Sequence, residues 1–134
     1  MNRLAKYATA IVGAHLLVTM AHGLAHQELH IGLTPFEAAF VLIVVGIAPI
    51  MAAGLVWTRG RRAALLLLSA SMLASALFGL YHHFIVPGAD HVHAQPATAW
   101  GTTFIYSSYG LLVTELIGAC VGIPFLLSRN ARSQ

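Results

Sequence analysis

Apolar residues fill long, nearly uninterrupted blocks of this chain, and most charged residues fall between the blocks. A helix needs about 20 mostly apolar residues to cross the hydrocarbon core of a bilayer. Four blocks reach that length, over about residues 7–29, 35–57, 63–86 and 98–127. The short connections between them favour antiparallel neighbours. The pattern therefore predicts an all-α fold, a four-transmembrane-helix, up-down antiparallel bundle forming a single integral membrane domain over residues 1–134.

Composition supports a membrane location. The chain is 58% hydrophobic and only 8% charged, whereas soluble globular domains carry about 25% charged residues. This small number of charged side chains cannot cover the surface of a soluble fold. We therefore expect the lipid bilayer to be the main partner. A homo-oligomer or a larger membrane complex is also possible from the sequence. The net charge of +3 does not indicate nucleic-acid binding, because the basic residues lie in short clusters between apolar blocks.

The basic residues also predict the orientation. All seven lie at the N-terminus, between the second and third blocks, or at the C-terminus: Arg3, Lys6, Arg59, Arg61, Arg62, Arg129 and Arg132. Four spans bring these segments to one side, which the positive-inside rule assigns to the cytoplasm. We therefore expect a multi-pass protein of the inner cell membrane with both termini cytoplasmic. Histidines are unusual in a signal peptide, so we expect the first span to be retained.

Histidines interrupt the apolar pattern in two separate places. His15, His22, His26 and His30 lie within an arc of about 80° on one face of the first predicted helix. His82 and His83 end the third block, and His91 and His93 follow in the next loop. A rise of about 1.5 Å per residue brings the outer histidines of both spans to one level. The sequence thus predicts a histidine-rich site on the extracytoplasmic side, between the first and third spans.

Imidazole is a suitable ligand for iron, copper and zinc, so we interpret this site as a transition-metal site. The predicted ligands are His22, His26, His30, His82, His83, His91 and His93. Adjacent residues on a helix point about 100° apart, so only one of His82 and His83 is expected to face the metal, and the sequence leaves the choice open. Asp90 is a candidate to orient an imidazole. Iron or copper would permit oxidoreductase chemistry and zinc would not, so the sequence does not decide whether the chain is an enzyme.

Two other interpretations remain open at this stage. A b-type haem for electron transfer would need one histidine from each of two helices, and His22 or His26 with His82 or His83 meets that need. A non-catalytic membrane subunit or transporter component is the other. In that case His15 and Glu115 would form a buried polar pair that relays protons or ions, since both fall near the same predicted depth in the membrane. Glu115 is the only acid well inside a span, where ionisable groups are rare and need partners.

Two local patterns predict structure rather than chemistry. Thr34, Pro35 and Glu37 form the sequence of a helix-capping box with proline in the first turn. Gly118 and Gly122 are spaced to let two helices approach closely, either inside the bundle, which we expect, or between two copies of the chain.

Overall fold

The computed structural model describes residues 3–123, and within that range the protein is helical, with no strand. Its long helices are α1 (Arg3–Glu28), α2 (Pro35–Leu55), α3 (Arg61–Ile85) and α4 (Ala99–Val121). All four are long and apolar enough to cross a membrane. The predicted all-α class and the four candidate spans are confirmed. The last residues of the predicted fourth span, with Pro124, Arg129 and Arg132, lie outside the described range.

Apolar side chains cover much of the outer surface of these helices. Leu17, Ile50 and Leu77 are each more than half exposed. Contact of such side chains with water is unfavourable, whereas contact with lipid chains is favourable, because the transfer of apolar surface out of water lowers the free energy. The surface therefore agrees with the composition in indicating a membrane protein.

Small residues bring the helices close together. Helix α4 packs against α1 and α3, and α2 packs against α3 and α1. A Cβ atom on Gly118 would lie 2.8 Å from Met72 Cγ, and one on Gly122 would lie 2.6 Å from Ser69 Oγ. Only glycine permits this approach of α4 to α3. The prediction that these glycines serve packing inside the protein is confirmed.

Helix α2 begins with the predicted capping box. The Glu37 amide donates to Thr34 Oγ1 at 3.3 Å, and the Thr34 amide donates to Glu37 Oε2 at 2.7 Å. Further along, residues Val41–Ile47 form a π-helical stretch directly before Pro49. Proline has no N–H for the carbonyl four residues earlier, which here belongs to Val45. The helix is therefore widened in the turns before Pro49 rather than broken.

Helix α3 ends in a second π-helical turn, Tyr81–Ile85. The loop that follows contains one short 3₁₀ turn, Val92–Ala94, before α4 begins at Ala99. π-Turns of this kind are frequent at functional sites, and this one carries both His82 and His83.

Candidate metal centre

Three histidines from two helices meet near one end of the protein. His22 and His26 lie one turn apart on α1, and His83 comes from the π-turn of α3. One ring nitrogen from each lies within 4.8 Å of the others. His22 and His83 are buried, and the side chain of His26 is only 13% exposed. We call these three residues the histidine cluster.

A serine on α4 sets the orientation of the His22 ring. His22 Nδ1 lies 2.8 Å from Ser107 Oγ. The Ser107 hydroxyl donates its own hydrogen to the Phe104 carbonyl at 3.0 Å, so its oxygen is left to accept. The tautomer of His22 with its hydrogen on Nδ1 satisfies this contact and leaves a lone pair on Nε2.

Backbone carbonyls hold the other two rings in the same way. His26 Nδ1 lies 3.3 Å from the Ile31 carbonyl oxygen, and His83 Nδ1 lies 3.1 Å from the carbonyl oxygen of Asp90. A carbonyl oxygen can only accept, so the tautomer with N–H at Nδ1 satisfies each of these contacts and leaves Nε2 for a ligand. Metal-binding histidines are held in this manner, with the outer nitrogen donating to an oxygen and the inner nitrogen facing the ion.

The inner nitrogen of His26 lies within hydrogen-bonding distance of both His22 and Asp90. His22 Nε2 and His26 Nε2 are 3.2 Å apart, and Asp90 Oδ1 lies 3.1 Å from His26 Nε2. Lone pairs facing one another at this distance repel. Bonds of about 2.0 Å in a tetrahedral metal site separate neighbouring ligands by about 3.3 Å. A metal ion between the ring nitrogens removes this repulsion, and so does an N–H on His26 Nε2.

The loop after α3 delivers a carboxylate to the cluster. Asp90 Oδ1 is buried and also lies 3.2 Å from His83 Nδ1, which lies at a similar distance, 3.1 Å, from the Asp90 carbonyl oxygen. Burial alone would raise the pKa of Asp90, but the adjacent His26 and His83 rings outweigh it and hold that pKa well below its usual range. Asp90 is therefore an ionised group facing two imidazoles, rather than the neighbour of His91 that its position in the sequence suggested.

A buried aromatic ring closes one side of the cluster. The centroid of the Phe104 ring lies 4.7 Å from that of His22, 5.2 Å from His26 and 5.4 Å from His83, and Phe104 is fully buried. Sequence reasoning missed both Phe104 and Ser107. Their spacing of three residues places them on one face of α4, and Ser107 falls at the same depth as His22, which is the signal that was available.

The remaining outer histidines lie outside the cluster. His82 packs on the Phe78 ring, with centroids 4.3 Å apart, and its Nδ1 lies 3.7 Å from Glu37 Oε1. His91 Nδ1 accepts from the His93 amide at 3.1 Å and caps the 3₁₀ turn. The structure thus brings together three of the seven predicted ligands and leaves His30, His82, His91 and His93 elsewhere.

The predicted pair of His15 and Glu115 is not bonded. Both side chains are buried, but His15 Nε2 donates to the Val45 carbonyl at 3.1 Å, using the acceptor that Pro49 cannot reach. Within residues 3–123, no hydrogen bond or ion pair joins His15 to Glu115. The side chain of His15 is directed to α2 rather than to α4.

Comparison with known proteins adds no further constraint. No family model, curated protein or solved structure matches the chain, so its function must be argued from the residues themselves.

Proposed function

We propose that this chain is a multi-pass membrane protein that binds a transition-metal ion through one ring nitrogen each of His22, His26 and His83. One observation carries the proposal: one ring nitrogen from each of the three histidines lies within 4.8 Å of the others, close enough for a shared ligand. Imidazole nitrogens of this kind suit iron, copper or zinc. The proposal includes both metal handling and redox chemistry as uses of the bound ion.

Asp90 would supply negative charge to the bound ion. A divalent cation held by three neutral imidazoles keeps its full charge, which is unfavourable in a largely apolar surrounding. The Asp90 carboxylate, 3.1 Å from His26 Nε2, offsets part of that charge and is close enough to act as a fourth ligand after a small movement.

The finer topology is also part of the proposal: an up-down antiparallel bundle with cytoplasmic termini and an extracytoplasmic metal site. Contacts between neighbouring helices support the antiparallel order, since higher residue numbers on one helix meet lower numbers on the next. Trp57 donates to Thr9 whereas Val45 accepts from His15, and His22 meets Ser107. The distribution of lysine and arginine supports the orientation.

The haem alternative has no geometric support. Two axial histidines must lie on opposite faces of the porphyrin. The rings of His22 and His83 instead touch each other, with centroids 4.8 Å apart, and His22 and His26 are equally close. A haem would have to separate rings that now pack together, so a metal ion without a porphyrin is the function that the geometry favours.

Metal analysis of the detergent-purified protein tests the proposal. We expect a stoichiometric transition metal in the wild type and near-background metal in His26→Ala. His30→Ala is the matched control, because His30 is an exposed histidine one turn further along and should leave the metal in place. An absorption spectrum of the same sample checks for haem.

The alternative in which a His26 N–H donates to Asp90 gives a different result. This hydrogen bond needs no metal, and the purified wild type would then contain none above background even after incubation with zinc, copper and iron salts. That outcome would falsify the proposed function.

A further inference from the structure

A cavity of about 440 Å³ lies beside the histidine cluster, lined by residues from all four helices. His22 and His83 form part of its wall, and Glu115 forms another part. Most of the remaining lining is apolar, including Val45, Phe78 and Leu111. Ligand sites in proteins have this size and character, an apolar cavity with a few placed polar groups.

Glu115 is the polar group that the cluster does not explain. It is only 3% exposed, and in the described part of the chain no hydrogen bond or ion pair involves its carboxyl group. Gly79 brings it near the cluster: a Cβ atom there would lie 3.7 Å from His83 Cδ2 and 3.9 Å from Glu115 Oε2. The carboxyl group and the His83 ring edge therefore border the same part of the cavity.

A buried carboxyl group without a partner is costly, whether it is charged or neutral. Inside a membrane protein such groups are rare and mark ligand or ion sites. A protonated carboxyl both donates and accepts hydrogen bonds, and an ionised one accepts only. A ligand with an O–H or N–H group can hydrogen-bond to Glu115 in either protonation state, whereas a carbonyl ligand can hydrogen-bond only to the protonated form.

We propose that this cavity binds a small molecule with an apolar body and a single hydrogen-bond-donating head group, an alcohol or an amine, that pairs with Glu115. The apolar body lies against the Val45, Phe78 and Leu111 side chains. The head group lies next to His83, so the ligand reaches the edge of the histidine cluster. The proposal goes beyond the metal site and does not require a metal to be bound.

Photolabelling tests the proposal with the detergent-purified full chain. Three probes share one alkyl-diazirine skeleton and end in a hydroxyl, an ammonium or a methyl group. Mass spectrometry maps the labelled residues, and labelling in the cavity is normalised to labelling of Met20, which is 66% exposed on the outer surface. One hydrogen bond of ordinary net strength corresponds to about fivefold in binding. We therefore expect the hydroxyl or the ammonium probe to label the cavity about fivefold more than the methyl probe.

Two variants of Glu115 test whether this residue causes the preference for a donor head group. In Glu115→Leu the donor probes should lose their advantage over the methyl probe. Glu115→Gln keeps the shape and an acceptor oxygen, so it should retain the preference for the hydroxyl and lose any preference for the ammonium. Unfolding and metal content of both variants are measured alongside, which separates a folding defect or a failed metal site from a failed ligand site.

Each outcome of the labelling experiment either supports or overturns the proposal. A preference for the hydroxyl or for the ammonium supports the proposal and identifies which head group is bound. Equal labelling by the methyl probe means that lipid chains or hydrocarbons enter the cavity without recognition and overturns it. Labelling confined to outward-facing residues, or a donor preference that survives in Glu115→Leu, overturns it as well.

Discussion

The imidazole of His22 and the hydroxyl group of Ser107 are joined by a hydrogen bond of 2.8 Å across the contact between α1 and α4. Because the Ser107 hydroxyl donates to the Phe104 carbonyl, this contact positions the His22 ring and favours the tautomer with its hydrogen on Nδ1. A ligand nitrogen on one helix is thus oriented by a residue on another, and metal affinity should depend on a side chain that touches no metal.

Removing this hydroxyl tests that dependence. Ser107→Ala should lower metal affinity about 10- to 100-fold, the usual effect of losing a group that orients a ligand. Ser108→Ala is the control, because the Ser108 hydroxyl also donates to the Phe104 carbonyl, at 2.8 Å. Competition against a chromogenic chelator measures both affinities. Equal affinities for the two variants would show that Ser107 does not orient His22 for a metal.

Two neighbouring histidines should behave differently. His83 belongs to the histidine cluster, whereas His82 packs on Phe78. We expect His83→Ala to retain almost no metal after dialysis and His82→Ala to retain the wild-type amount, measured as metal per chain. The reverse result would place the ligand on the other side of the π-turn and contradict the geometry described here.

Sequence patterns predicted the helices well and the direction of individual side chains poorly. The four spans, the capping box at Thr34 and the histidine stripe of α1 follow from composition and helical period, which are local properties. The π-turn decides which of His82 and His83 faces the cluster, because successive side chains in a π-turn point in different directions from those in a regular α-helix. Asp90 and Ser107 reach the cluster through tertiary contacts between distant segments, which no local pattern encodes.

The glycine face of α4 should be sensitive to a single methyl group. A Cβ atom at Gly118 would lie 2.8 Å from Met72 Cγ, whereas one at Gly13 has nothing within 4 Å. Alanine gains up to about 1 kcal/mol of helix propensity at both positions, so the difference between the variants isolates the packing conflict. We expect Gly118→Ala to be less stable than Gly13→Ala by about 1–3 kcal/mol. Chemical unfolding in detergent measures the difference, and equal stabilities would mean that α4 can move away from α3 without cost.

Stability of the metal-free protein should depend on pH through Asp90. Burial would raise the pKa of this carboxyl, but the His26 and His83 rings hold it below the unfolded value of 3.8. A group whose pKa is lowered by folding stabilises the protein above its unfolded pKa and loses that effect as pH falls towards its folded pKa. Asp90→Asn should therefore unfold at a lower temperature than the wild type at neutral pH, and the gap should shrink as the pH falls below about 4. Thermal unfolding of chelator-treated samples measures the gap, with Glu28→Gln, at an exposed acid at the end of α1, as the control for loss of one negative charge. A gap that stays constant from neutral to acidic pH would mean that the Asp90 carboxylate gains nothing from its contacts with the two histidines.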